Sequence, residues 1–192
     1  MRETSTRRST RTMLLVLLVV LLSYRNANAQ RDERAISSEQ KFQAAISAQV
    51  KAAAQKARVS LLPGVIAYAG GDGGFVVNTV VQGADRFGPQ SSATGTDLLF
   101  VYIGANDLAV PEGYYKVRLT GKQAQFIASN GKVAATLPAS VEEGTPAVRG
   151  KVKVKATGSW SKNGAVVDIE ITFGESAAAR AVTIPIPEKP GR

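Results

Sequence analysis

The chain has 192 residues, 24 Lys plus Arg against 15 Asp plus Glu, and neither His nor Cys. Without His there is no imidazole base, no His-based triad and no imidazole metal site. Without Cys there is no disulfide, thiolate nucleophile, zinc knuckle or iron–sulfur ligation.

Residues 1–29 read as an address. Arg2, Arg7, Arg8 and Arg11 stand against one acid, Glu3; ten unbroken apolar residues run from Met13 to Leu22; Ala27-Asn28-Ala29 precedes Gln30. A basic head, a short apolar core and a small-residue end form a secretory signal peptide, with cleavage expected between Ala29 and Gln30. Ten helical residues reach about 15 Å, half of the ~30 Å hydrocarbon core, so the pattern favours cleavage over anchoring. The expected destination is the periplasm, the cell surface or the medium, with no transmembrane span after cleavage. Beyond the leader, 19 basic and 14 acidic residues leave a net charge of +5 rather than +9. Much of the basicity therefore belongs to the address, and total charge does not support a specific nucleic-acid partner.

Residues 30–62 form the expected helical segment. They are rich in Ala, Gln, Lys and Arg, with Ser37 and Gln40 placed as a capping box. Phe42, Ile46 and Val50 recur at four-residue spacing beside Ala45, Ala53 and Ala57, which makes one thin apolar stripe. The stripe predicts a helix packed on a domain, closed by Pro63-Gly64.

From residue 63 to 192 the period changes to two. Predicted strands are Val65–Ala69, Phe75–Gln82, Leu98–Gly104, Tyr114–Thr120, Gln123–Ser129, Lys132–Leu137, Val148–Trp160, Ala165–Phe173 and Ala181–Ile186. Asn130-Gly131 and Asn163-Gly164 are strong hairpin signals, and Thr120-Gly121 is a third turn. A two-residue loop at Asn163-Gly164 sets Trp160, Gly158, Ala156 and Val154 against Val167, Ile169, Ile171 and Phe173, one apolar face throughout; Trp160 then reads as a core anchor. The run Leu98 to Ile103 is apolar without alternation and predicts a strand covered on both faces. Pro185 and Pro187 cannot donate ladder bonds and predict that the last strand is an edge. The expected fold is mainly β, an antiparallel two-sheet sandwich or barrel-like roll with one N-terminal amphipathic helix.

Val110-Pro-Glu-Gly-Tyr-Tyr-Lys-Val-Arg-Leu119 resembles the apolar-Pro-x-Gly-x-Tyr-x-Val turn into a strand seen in exported β-sandwich modules of the prealbumin-like and carboxypeptidase-regulatory-like kind. The resemblance covers ten residues, implies a sandwich and carries over no functional residue.

Chemical motifs are weak. Gly70-Gly-Asp-Gly-Gly74 lacks the Lys-Ser/Thr and the following helix of a phosphate loop and reads as a hairpin turn. Ser-x-x-Lys occurs at Ser38/Lys41, Ser129/Lys132 and Ser159/Lys162 without companion motifs. The carboxylate pairs Asp168/Glu170 and Glu142/Glu143 fall on an outward face and in a loop. Phe87, in the long stretch from Gly83 to Thr96, is a candidate contact tip. The sharpest feature is Arg149, Lys151, Lys153 and Lys155 at period two, with Lys116 and Arg118 as a second pair facing Gln123 and Gln125. These six are the candidate anion contacts. The expected role is a non-catalytic envelope or secreted binding or structural domain that contacts an anionic component or a protein partner and uses no cofactor or metal. The alternative is a small hydrolase working through carboxylates or Ser/Lys.

Overall fold

The computed structural model of the chain describes residues 39–71, 74–87, 95–142, 144, 151–161, 164–174 and 179–190. The leader, its cleavage site at Ala29 and Gln30, the capping residue Ser37 and the cation Arg149 lie outside the described residues. Two compact units divide the chain, Met1–Ile46 and Ser47–Arg192. Helix α1 covers residues 39–56, and its part from Ser47 onward belongs to the second unit. Within that part Val50 and Ala54 are fully buried, one helical turn apart. In the first unit Phe42, expected on the same stripe, is 48% exposed.

The helix closes earlier than Pro63-Gly64. Arg58 N–H donates to the Gln55 carbonyl at 3.0 Å and Val59 N–H to the Ala54 carbonyl at 2.9 Å, with Arg58 left-handed at φ 57°. That pair of bonds is a Schellman motif, in which the left-handed position is usually glycine.

Ten strands follow: β1 (Leu61–Gly71), β2 (Gly74–Val81), β3 (Thr96–Ala105), β4 (Gly113–Thr120), β5 (Gln123–Ala128), β6 (Val133–Pro138), β7 (Ser140–Glu142), β8 (Val152–Ser161), β9 (Gly164–Phe173) and β10 (Arg180–Ile186). They form two antiparallel sheets, one in the order β1-β2-β3-β4-β5-β6 and the other β7-β10-β9-β8. The fold is thus a two-sheet β-sandwich with one N-terminal helix. The chain changes sheets at Ala139, whose N–H bonds the Lys122 carbonyl at 2.8 Å. Phe126, Leu99, Ile103 and Leu119 from the first sheet meet Phe173, Ile169, Ile171 and Ile184 from the second in one fully buried core. Among the described residues no helix is long and apolar enough to cross a membrane.

All nine predicted strands form, and a three-residue strand, β7, adds to them. The hairpin registers depart from expectation in two different ways. Ser161 pairs with Gly164, and Trp160, Gly158, Ala156 and Val154 oppose Ala165, Val167, Ile169 and Ile171. The slip is two residues, so every side chain keeps its face. Thr120 pairs with Gln123, which shifts that hairpin by two in the same way. At Asn130-Gly131 the expected pairs Ala124↔Leu137 and Phe126↔Ala135 form, but a bulge sets Val133 against Ile127. The extra residue is Ala134, between the pairs Phe126↔Ala135 and Ile127↔Val133, and Val133 is 51% exposed.

The last strand is not an edge: β10 lies between β7 and β9. Its prolines are still accommodated, because β7 pairs only with Ala181, Val182 and Thr183 and stops before Pro185. Pro63-Gly64 lies inside β1. Leu61 pairs with Val81 and Ile66 with Thr79, so residues 62–65 oppose Val80 alone and β1 swings away from β2 there. In the Pro-x-Gly-x-Tyr segment, Tyr115 donates its hydroxyl proton to the Pro111 carbonyl at 2.9 Å, tying the turn to its strand. Gly113 sits at φ 153°, and a Cβ there would lie 3.1 Å from that hydroxyl oxygen.

Candidate functional site

The five candidate cations among the described residues do not form one surface. On β4, Tyr115, Val117 and Leu119 face the core, so Lys116 and Arg118 stand on the outer face of the six-stranded sheet. On β8, Val152, Val154 and Ala156 face the core, so Lys153 and Lys155 stand on the outer face of the other sheet, exposed, with exposed Lys151 just before them.

The two sets differ in charge balance as well. Lys116 and Arg118 do have an acid opposite them. The two-residue shift of the hairpin sets Arg118 opposite Gln125 on β5, where the expected register gives Gln123, and on its other side Arg118 pairs with Asp97 on β3. Arg118 Nε lies 2.7 Å from Asp97 Oδ1 and Lys116 Nζ 3.0 Å from Oδ2. Partial burial pushes the Asp97 carboxyl up, but hydrogen bonds and charge from Arg118 and Lys116 outweigh it and hold the group below its usual range. The same hydrogen bond from Arg118 to Asp97 raises the guanidinium pKa. On β8 the two-residue slip puts Lys155 directly opposite Glu170, where the sequence places it diagonal, and Lys153 opposite Thr172.

Among the described residues the catalytic candidates are not gathered into a cleft. Ser129 and Lys132 are exposed at the β5–β6 turn, Ser159 is exposed on β8, and Ser38 and Lys162 lie outside the described residues. Asp168 and Glu170 stand on the outer face of β9 opposite Thr157 and Lys155, and Glu142 is exposed on β7. Glu143 lies outside the described residues. Among the described residues no group of three or more Asp or Glu is placed to hold a metal ion. In the glycine run Gly71 ends β1 and pairs with Gly74, which begins β2; Asp72 and Gly73 lie outside the described residues. Phe87 is an inward anchor rather than a contact tip. It is buried, its ring centroid lies 5.1 Å from that of Phe173, and the buried Arg180 guanidinium sits 5.7 Å over it.

Two clefts lie where the second-unit part of α1 crosses the outer face of the six-stranded sheet. On one side is a cleft of about 730 Å³ between the helix and the outswung part of β1, lined by Val50, Lys51, Arg58, Leu61, Ile66 and Thr79 among others. On the other is a cleft of about 830 Å³ over β4 and the β5–β6 turn, lined by Lys56, Phe100, Glu112, Tyr114, Lys116 and Ile127 among others. Beside it runs a row of rings. Phe75 and Tyr102 have centroids 5.4 Å apart, Tyr102 and Tyr114 4.6 Å, and Phe100 and Tyr114 6.3 Å. Gly104 makes room for the row, since a Cβ there would come within 2.9 Å of the Tyr102 ring. Tyr102 donates to Glu112 at 3.3 Å; partial burial and that carboxylate raise its pKa.

Sequence reasoning did not find these clefts. The periodicity of β3 signalled a covered outer face, but neither the bulge in β1 nor the left-handed Arg58 has a local signature. Glycine is absent at the helix end. No protein-family model, curated protein or solved structure matches the chain.

Proposed function

We propose that the protein is an exported, non-catalytic β-sandwich domain that contacts an anionic partner through the outer face of β8. The leader pattern in residues 1–29 supports export. The observation that carries the binding reading is the contrast between the two cation sets: Lys116 and Arg118 share the Asp97 carboxylate, which offsets one of their two charges, whereas Lys153 stands exposed opposite a threonine. Edge strands commonly carry Lys to discourage pairing with other chains, and β8 is an edge of its sheet, so the same residues also protect it. A short row of exposed cations gives attraction without much specificity, screened within about 8 Å at physiological salt. Retention on heparin and on anionic vesicles is expected at low ionic strength and is lost near physiological ionic strength. The Lys151→Glu, Lys153→Glu variant should lose retention while keeping the wild-type melting temperature. Retention unchanged in that variant would refute this reading.

A further inference from the structure

The cleft between α1 and the outswung segment of β1 has the features of a ligand site, and it is independent of the β8 face. We propose that it binds a small monoanionic amphiphile, an apolar tail carrying one carboxylate, of the fatty-acid class.

Its shape follows from the register break. Four residues of β1, Leu62 to Val65, face Val80 alone, with Gly64 at φ 75° at the bend. The strand leaves the sheet there and rejoins it at Ile66, opening a volume of about 730 Å³ under the helix. That is within the ~300–1,000 Å³ of small-molecule sites. Val50, Val59, Leu61, Leu62, Pro63 and Ile66 form the apolar part of the wall, beside the polar Ser47, Gln55 and Ser60. The apolar part suits a hydrocarbon body.

Two further observations select the head group. Lys51 and Arg58 line the cleft, and neither forms an ion pair among the described residues. Lys51 stands on α1 and Arg58 at its left-handed C-terminal cap, and both border the same cleft. Arg58 stands in the left-handed cap position that glycine usually takes, and a strained residue at a cavity is a pointer to function. The carbonyl end of the helix disfavours an anion, but its half charge is outweighed by two cations. At the inner end, Thr79 is 4% exposed, and its hydroxyl has no hydrogen-bond partner among the described residues. A buried polar group without a partner is rare, and a ligand oxygen is one way to satisfy it. Ser47, also in the lining, is instead hydrogen-bonded to the Tyr68 hydroxyl.

The test is calorimetric titration of the full chain with dodecanoate below its micelle concentration, with dodecanol as the uncharged match. One saturable site per chain is expected, with dodecanol at least tenfold weaker. Arg58→Gly removes the cation and relaxes the cap, so its melting temperature should be equal or higher while dodecanoate affinity falls about tenfold. Thr79→Val should weaken binding severalfold without lowering the melting temperature. Lys151→Glu, Lys153→Glu should bind dodecanoate as wild type does, which separates this site from the β8 face. Absence of a saturable site, equal binding of dodecanol, or wild-type affinity in Arg58→Gly would overturn the assignment.

Discussion

On β9 every second side chain is buried: Ala165, Val167, Ile169, Ile171 and Phe173 face the core, while Val166 and Asp168 face outward. On β2 the six consecutive residues Val76 to Val81 are all buried, and on β3 Leu98, Leu99, Phe100 and Val101 are. The difference is what covers the outer face. The four-stranded sheet turns that face to solvent, whereas the six-stranded sheet has the second-unit part of α1 across it, over Thr79 and Phe100. A sheet wetted on one face alternates, and a sheet covered on both does not. The same contrast sets the chemistry of the cations. Lysines on the wet face of β8 stay hydrated, while those on the partly covered face of β4 are held by a carboxylate.

Substitutions at neighbouring positions should reproduce this contrast. On the four-stranded sheet, Ile169→Ala is expected to cost about 2–5 kcal/mol, and Asp168→Ala, one residue away on the wet face, within ~0.5 kcal/mol. On β3 both neighbours should be expensive: Phe100→Ala about 3–5 kcal/mol from the helix-covered face and Val101→Ala a clear loss from the core face. Midpoints of denaturant unfolding at constant slope measure all four. If Phe100→Ala proves as mild as Asp168→Ala, the helix does not cover that face in solution.

The sandwich closes differently at the junction of β1 and β8, where Trp160 is half-buried rather than fully enclosed. Its ring lies on two glycines: a Cβ at Gly71 would come within 2.8 Å of Trp160 Cε3, and one at Gly158 would collide with the same ring. Its indole N–H is shielded without a partner among the described residues. Trp160 therefore joins the core, as its face of the hairpin predicts, but as a lid at a seam. Gly158→Ala should displace the ring at about 1–3 kcal/mol, the usual range for overpacking. Tryptophan emission in that variant should shift to the red and quench more readily. A wild-type spectrum would mean that the ring already lies away from Gly158.

Most of this architecture was legible because period-two patterning is robust. Both two-residue slips, at Thr120-Gly121 and Asn163-Gly164, left every side chain on its expected face. Period two cannot specify the register itself, which is why Lys155 meets Glu170 only in the structure. The bulge at Ala134 escaped the pattern because one inserted residue inverts the face of its neighbour on the strand, and Val133 came out exposed. Phe87 was illegible for another reason. Its burial depends on Phe173 and Arg180, about ninety positions along the chain, and nothing near it in sequence announces them. Of the candidate site, the covered face was readable from β3 and the clefts were not, since they arise from a strand leaving its partner.

The smallest expected effect concerns the paired cations of β4, and its sign is set by the Asp97 carboxyl. The folded-state pKa is lowered, so the group stabilises the fold above its unfolded pKa of about 3.9 and loses that contribution as pH falls through the lower folded value. Asp97 is only partly buried and Lys116 and Arg118 are partly exposed, so the effect belongs to the range of about 0–1 kcal/mol typical of surface ion pairs. Asp97→Asn should therefore lower the melting temperature slightly near neutral pH, and the gap to wild type should close as pH drops below about 4, where the wild-type carboxyl also becomes neutral. Salt should narrow the gap at neutral pH, because these charges are in reach of solvent. Lys153→Gln, on the other sheet, serves as the contrast: with a threonine opposite, it should leave the acid limb of the melting profile where wild type has it. A gap between Asp97→Asn and wild type that persists unchanged at acid pH would show that the aspartate acts through packing and not through its charge, and the difference between the two cation sets would then be geometric only.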